Sequence, residues 1–373
     1  MHKPLRLHCG PYPGPVPCPP RCAKSGARGP TFGLVLLAAT VVAACADLPS
    51  PPIAARRSAL VGEETSTQAT LALPADVAHS AGQVVVRGGW GSAAGQFGKR
   101  DEGSRPGPMG LAVGLAGEIF VLDQVNRRVC RFSRDGKLEG MFSVESETAE
   151  DLAVVGDTVW VLFYEPGRDH GYRLRQYRRD GALAQDAPLS RTLDLVTGLF
   201  SEGEDLWVEE RHEEQLQVVA RGKIVPAAQD RRALLGRPDP ARPGARLLLG
   251  RDAGRAVVDR TFPGRSTSRL LTLDAPLPLV AVDDLLVDGR GGIYLSLILG
   301  TEAGPDFEMR DARRLMAVYR PGQGVRTVAL ASDRATDTFR PLAVGRDGAL
   351  HELELTEAGV AVRRFALDAG GAR

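Results

Sequence analysis

The chain has 373 residues, 43% of them hydrophobic and 25% charged, with 43 glycines and 26 prolines. A chain of this length and balance can bury a sizeable core, and the composition excludes a disordered protein. The formal net charge is +1, yet residues 1–44 hold Lys3, Arg6, Arg21, Lys24 and Arg28 and no acidic residue. Taking that +5 from +1 leaves −4 on the remainder, which excludes a general attraction to nucleic-acid phosphates.

The opening is basic and rich in proline, and Phe32 to Ala44 is a run of thirteen mostly apolar residues. That is shorter than the roughly 20 residues needed to cross a bilayer, so residues 1–44 are predicted to be a signal peptide. The run ends in Val42-Ala43-Ala44-Cys45, which resembles the bacterial lipobox. The resemblance implies that Cys45 is lipidated and starts the mature chain, and that the protein lies in the bacterial cell envelope. Ala46, where Asp would retain a lipoprotein at the inner membrane, implies the outer membrane. Membrane contact is then through the lipid alone, at about 0.8 kcal/mol per buried methylene. Cys9, Cys18 and Cys22 fall in the cleaved segment. Cys130 is left without a partner, and no internal disulfide is expected. Residues 45–80 are rich in Ala, Pro, Ser and Thr and are predicted to be a flexible tether before a folded domain at 81–370.

From Gln83 the pattern is β throughout. Pro108 to Phe132 gives the unit most clearly: an apolar strand, a Gly-rich turn, a second strand, a polar turn, and a third strand. Such short strands with turns of two to six residues form an antiparallel meander. The unit recurs with Phe120, Trp160, Trp207, Val257, Tyr294 and His351 in one register. Six units at this period predict an all-β chain folded as a six-bladed β-propeller. The last unit is one strand short and Gln83–Arg87 has no earlier unit to join, so the N-terminal strand is predicted to close the ring.

Gly117-x-Ile119-Phe120-Val121-x-Asp123-x-x-Asn126-x-Arg128-Val129-x-Arg131-Phe132-x-x-Asp135-Gly136-Lys137 resembles an NHL repeat. The Gly88-Gly89-Trp90-Gly91 to Gly95-Gln96-Phe97 segment is similar to the lead-in of the same family. The motif likeness covers residues 88–137, and the fold it implies covers 83–367.

Connections after the second and fourth strands of each blade leave on one face. The two longest second-to-third connections, Glu165–Tyr172 and Gly300–Asp311, belong to blades three apart and are predicted to face each other across the channel mouth. Arg168, His170 and Tyr172 on one side, with Asp306 and Arg310 on the other, are the candidate contacts for a small polar ligand or an envelope protein. Asp151, Asp194, Asp283 and Asp284 lie at or near inner-strand entries, and an acidic ring there would hold a divalent cation, calcium first. No catalytic residue and no resident cofactor is expected, because no nucleophile elbow, P-loop or paired metal motif occurs. His351 takes an aromatic position and is read as a packed structural histidine. The sequence thus favours a non-catalytic binding scaffold over its alternative, a metal-dependent hydrolase or lyase with its site at the channel mouth.

Overall fold

The computed structural model describes residues 68–74, 82–101, 105–165, 171–189, 193, 195–225, 232–264, 267–303, 308–332 and 334–367. These fall in one compact unit, and the other unit, residues 8–60, lies outside them. The described residues form a six-bladed β-propeller, built of six small sheets.

Blade I comprises Pro108–Val113, Ile119–Asp123, Arg128–Phe132 and Leu138–Ser143. Blade II comprises Ala149–Val155, Thr158–Glu165, Gly171–Arg178 and Leu183–Leu189. Blade III has Val196–Glu202, Asp205–Glu210 and Glu214–Ala220, and its outer position is shared by Lys223–Ile224 and Ala233–Leu235. Blade V comprises Leu279–Val287, Ile293–Ala303, Glu308–Arg320 and Gly324–Ala329. The stretch Gly300–Asp311, expected as a loop, is largely an extension of this hairpin, pairing Thr301 with Arg310 and Ala303 with Glu308.

Blade VI has three strands, Leu342–Val344, Leu350–Thr356 and Gly359–Phe365, and Gln83–Gly88 supplies its fourth, antiparallel to the last. The N-terminal strand therefore closes the ring as the sequence requires. The Asp135-Gly136 turn of blade I lies against this closing strand: Gly136 has φ +82°, and a Cβ there would collide with the Val85 carbonyl.

Blade IV departs from the expected register. Its inner strand is only Arg237–Pro238, followed by Arg246–Asp252, Arg255–Thr261 and Thr267–Asp274. Leu247 lies on the second strand, paired with Arg237, and takes the place expected for Val257. A two-residue strand has no apolar run to announce it. Only Gly236 separates blade III from this strand; its φ is +77°, and a Cβ would collide with the Leu247 carbonyl. Blade IV also gains a fifth strand, Ala69–Ala72, parallel to Thr267–Asp274. These four residues lie in the stretch read as a tether, and here they are part of the sheet.

Phe120, Trp160, Trp207, Leu247, Tyr294 and His351 are all buried on second strands. Each faces the next blade, because the blades are radial sheets whose faces pack on one another. Apolar clusters among the described residues span five junctions: I–II, II–III, IV–V, V–VI and VI–I. The III–IV junction is polar.

Candidate functional site

Radial packing leaves the edge of each inner strand facing a central shaft, and a bare strand edge carries unpaired N–H and C=O groups. At one level of the shaft these donors are taken by the chain itself. Leu152 N and Leu199 N donate to the two oxygens of Asp151, at 2.7 and 2.8 Å. Leu285 N donates to Asp284 Oδ1 at 2.9 Å, and Leu111 N to the Arg340 carbonyl at 3.1 Å. Carboxylates buried in this way need cations.

Two arginines supply them. Arg237 donates through Nε and Nη2 to both oxygens of Glu209, each at 2.8 Å, and its Nη1 lies 2.8 Å from Asp284 Oδ1. It thus joins blades III, IV and V. Arg340 donates from Nε to Asp151 at 2.9 Å and from Nη2 to the Leu152 carbonyl, while its backbone meets blade I. It joins blades VI, I and II. Both guanidiniums lie over the Phe200 ring, at 3.8 Å for Arg237 and 5.3 Å for Arg340. The shaft is closed at this level by an aromatic ring and two cations held by carboxylates. Burial alone would raise Glu209, and Arg237 overrides it, holding the carboxyl well below the usual range. Asp151 is pushed up, since its complete burial outweighs Arg340.

Below the plug, toward the first-to-second turns, is a chamber of about 160 Å³ walled by Ala112, Ala153, Leu286 and Ala343. Alternation along an antiparallel ladder turns the backbone of Val113, Val154, Ser201, Val287 and Val344 into it. It has room for roughly ten waters or a small polar molecule.

Above the plug is the mouth. The inner strands of blades I, II, III and V each carry a β-bulge at the same height, at Met109, Glu150, Thr197 and Asp283. A bulge leaves one residue unpaired and re-aims its side chain, and bulges gather beside functional sites. Glu150 is half-buried; burial is the main cause that pushes it up to about 7, against a hydrogen bond from Tyr172, with Asp151 adding to the rise. Tyr172 is itself stacked edge-on against Tyr164 at 5.5 Å. Asp283, on the opposite blade, bonds Arg314 Nε at 3.2 Å.

Of the residues expected to bind ligand, Tyr172 stands at this mouth, joined to Glu150. Arg310 lies in the long hairpin of blade V opposite Thr301, while Arg168, His170 and Asp306 lie outside the described residues, as do Cys45 and Asp194. Of the acidic ring, Asp151, Asp283 and Asp284 do reach the shaft, but each is bonded to an arginine. Among the described residues no three His, Cys, Asp or Glu side chains are grouped as a metal ion would need. His351 is buried and, chiefly by burial, pushed down to about 4, as a packed histidine should be. Asp123 accepts from Gly98 N, Asn126 and Arg128 and latches the lead-in loop, a structural task.

Arg237, Arg340, Glu209 and Glu150 were not anticipated. The one local signal is shared: Arg237-Pro238 and Arg340-Pro341 are Arg-Pro pairs at inner-strand starts, where proline holds the preceding residue extended.

No protein-family model matches the sequence, and no curated protein does. Solved structures similar to this chain include a streptogramin B lyase (12% identity over 69% of this chain and 93% of that one, TM-score 0.37). Others are virginiamycin B lyase from Staphylococcus aureus (9%, 70% and 95%, TM-score 0.39) and a putative 6-phosphogluconolactonase from Bacteroides uniformis (14%, 74% and 93%, TM-score 0.41).

Proposed function

We propose that this chain is a non-catalytic scaffold of the bacterial envelope, held by lipid on Cys45, which binds a small polar ligand or an envelope protein at the upper mouth of its propeller. The observation that carries the reading is the pairing in the shaft. The carboxylates a metal would need there, Asp151, Asp283 and Asp284, bond arginines and backbone N–H groups. At Asp151 and Asp284, which are largely buried, displacing the arginine leaves a buried charge unpaired, which costs several kcal/mol; Asp283 is more exposed, and its pairing weighs less. The four bulges at the mouth give this surface its ligand-facing side chains.

One observation favours the second reading, an enzyme. Glu150, poised near neutrality and bonded to Tyr172, has the character of a general acid or base.

The test is elemental analysis of the full chain purified without chelator. A metal content far below one atom per chain is expected. A stoichiometric divalent metal, lost on substituting Asp283 or Asp284, would return the assignment to a metal-dependent hydrolase or lyase.

A further inference from the structure

The connection between blades V and VI crosses the upper face beside Asp283. Its path is fixed by Leu330 N donating to the Arg314 carbonyl at 2.9 Å and by Ala335 N donating to the Leu355 carbonyl at 2.9 Å. Ala331 N donates to Glu352 Oε1 at 2.8 Å. This brings Arg334, on the connection, beside Arg314, on the third strand of blade V. The Arg314 side chain is 9% exposed; its Nε and Nη2 both lie 3.2 Å from Asp283 Oδ2. Its Nη1 is 4.0 Å from Glu352 Oε1, beyond hydrogen-bond reach.

Two donors are therefore left over. Arg314 Nη1 and Arg334 Nη2 are buried and have no hydrogen-bond partner among the described residues. A guanidinium nitrogen out of reach of bulk water and without an acceptor is costly, and two beside each other add repulsion. Burial, and then Arg314 beside it, push Arg334 down to about 10. Asp283 and Glu352 offset this only in part: both raise Arg334, but Asp283 is engaged by Arg314, and Glu352, pushed up mainly by burial, is engaged by Ala331 N, so neither bonds Arg314 Nη1 or Arg334 Nη2. What such a pair lacks is an acceptor with two oxygens, the partner for which guanidinium geometry is best suited.

We propose that Arg314 and Arg334 form a seat for an oxyanion, a carboxylate or phosphate group carried by the ligand of the upper mouth. The inference rests on the mouth being a binding surface. It fails separately, because the seat is probed with free anions while the scaffold reading is decided by metal content.

The test is isothermal titration of the full chain with inorganic phosphate and, separately, with acetate. Saturable binding at one site is expected for at least one of them. Phosphate alone points to a phosphorylated ligand, and acetate as well points to a carboxylate. Arg334→Gln is expected to weaken binding at least tenfold with the far-ultraviolet spectrum unchanged. If that variant does not fold, Arg334→Lys keeps the charge without the fork and is expected to weaken binding about threefold. Glu352→Gln, which removes a negative charge beside Arg314, is expected to tighten phosphate binding a few fold. No saturable binding of either anion, or equal binding by wild type and the Arg334 variants, would overturn the proposal.

Discussion

Junctions I–II and III–IV join neighbouring blades in the same ring by opposite means. At I–II, Phe120, Leu122 and Val129 pack on Leu152, Val161 and Phe163, all buried and apolar. At III–IV, Trp207 faces Arg246 at 5.0 Å, Arg246 donates to Gln215 Oε1 at 2.5 Å and to the Gly236 carbonyl at 2.8 Å, and Arg237 grips Glu209. An apolar junction gains stability in proportion to the area it hides and tolerates small shifts. A buried ionic junction gains little net stability, but it penalises any arrangement that separates the partners. The difference lies where a single glycine joins one blade to the next and the inner strand is only two residues long. That is where apolar packing has least strand to work with, so specific pairing fixes the geometry instead.

Breaking the ionic side should have the largest effect. Arg237→Met strands Glu209, 1% exposed, and Asp284, and is expected to cost about 4 kcal/mol in urea unfolding of the full chain. Leu152→Ala, on the apolar side, leaves a cavity and is expected to cost about 3 kcal/mol in the same assay.

Acid sharpens the comparison in an unexpected direction. His351 sits in the VI–I junction with a folded value of about 4 against an ordinary 6.5. The neutral form is the one the fold accepts, so its contribution is intact above pH 6.5 and is lost as pH falls toward 4. At about 1.4 kcal/mol per unit this amounts to about 3 kcal/mol. Glu209 is held below its ordinary 4.5, so its contribution is intact above that pH and is lost only in stronger acid. A largely apolar junction should therefore soften before the ionic one. His351→Phe, which restores the aromatic of the other blades, is expected to flatten the stability profile between pH 6.5 and 4. The smallest effect is at the mouth: Glu150 has a raised folded value, so its penalty appears as pH rises from 4.5 through 7. Glu150→Gln is expected to stabilise by about 1 kcal/mol at pH 8, given its partial exposure, and to change nothing at pH 4.

Much of the ring could be read from residues alone, because a strand and a turn repeat visibly when each strand is five to eight residues long. Phe120, Trp160, Trp207, Tyr294 and His351 all occupy the position their common register implied, and Gln83–Gly88 closes blade VI. Blade IV escaped because Arg237–Pro238 has no pattern to detect, and Ala69–Ala72 because four residues of ATLA in a polar stretch carry no period. The site was legible by half. Asp151, Asp283 and Asp284 stand out as acidic residues where apolar strands begin, but their partners do not. Arg340 lies 189 residues from Asp151, and no local rule links two residues at that distance. Without visible partners these acidic residues suggest metal ligands; the structure pairs each of the three with an arginine.

The most direct test of this pairing in the shaft is a double-mutant cycle of Arg237→Met and Glu209→Gln, measured by urea unfolding of the full chain. If the shaft is closed by mutual neutralisation, the double variant should be about 2 kcal/mol or more better than the sum of the singles, since each change removes what the other leaves unpaired. Additivity within about 0.5 kcal/mol would mean that the two residues do not act as a pair, and the account of the shaft would fall with it.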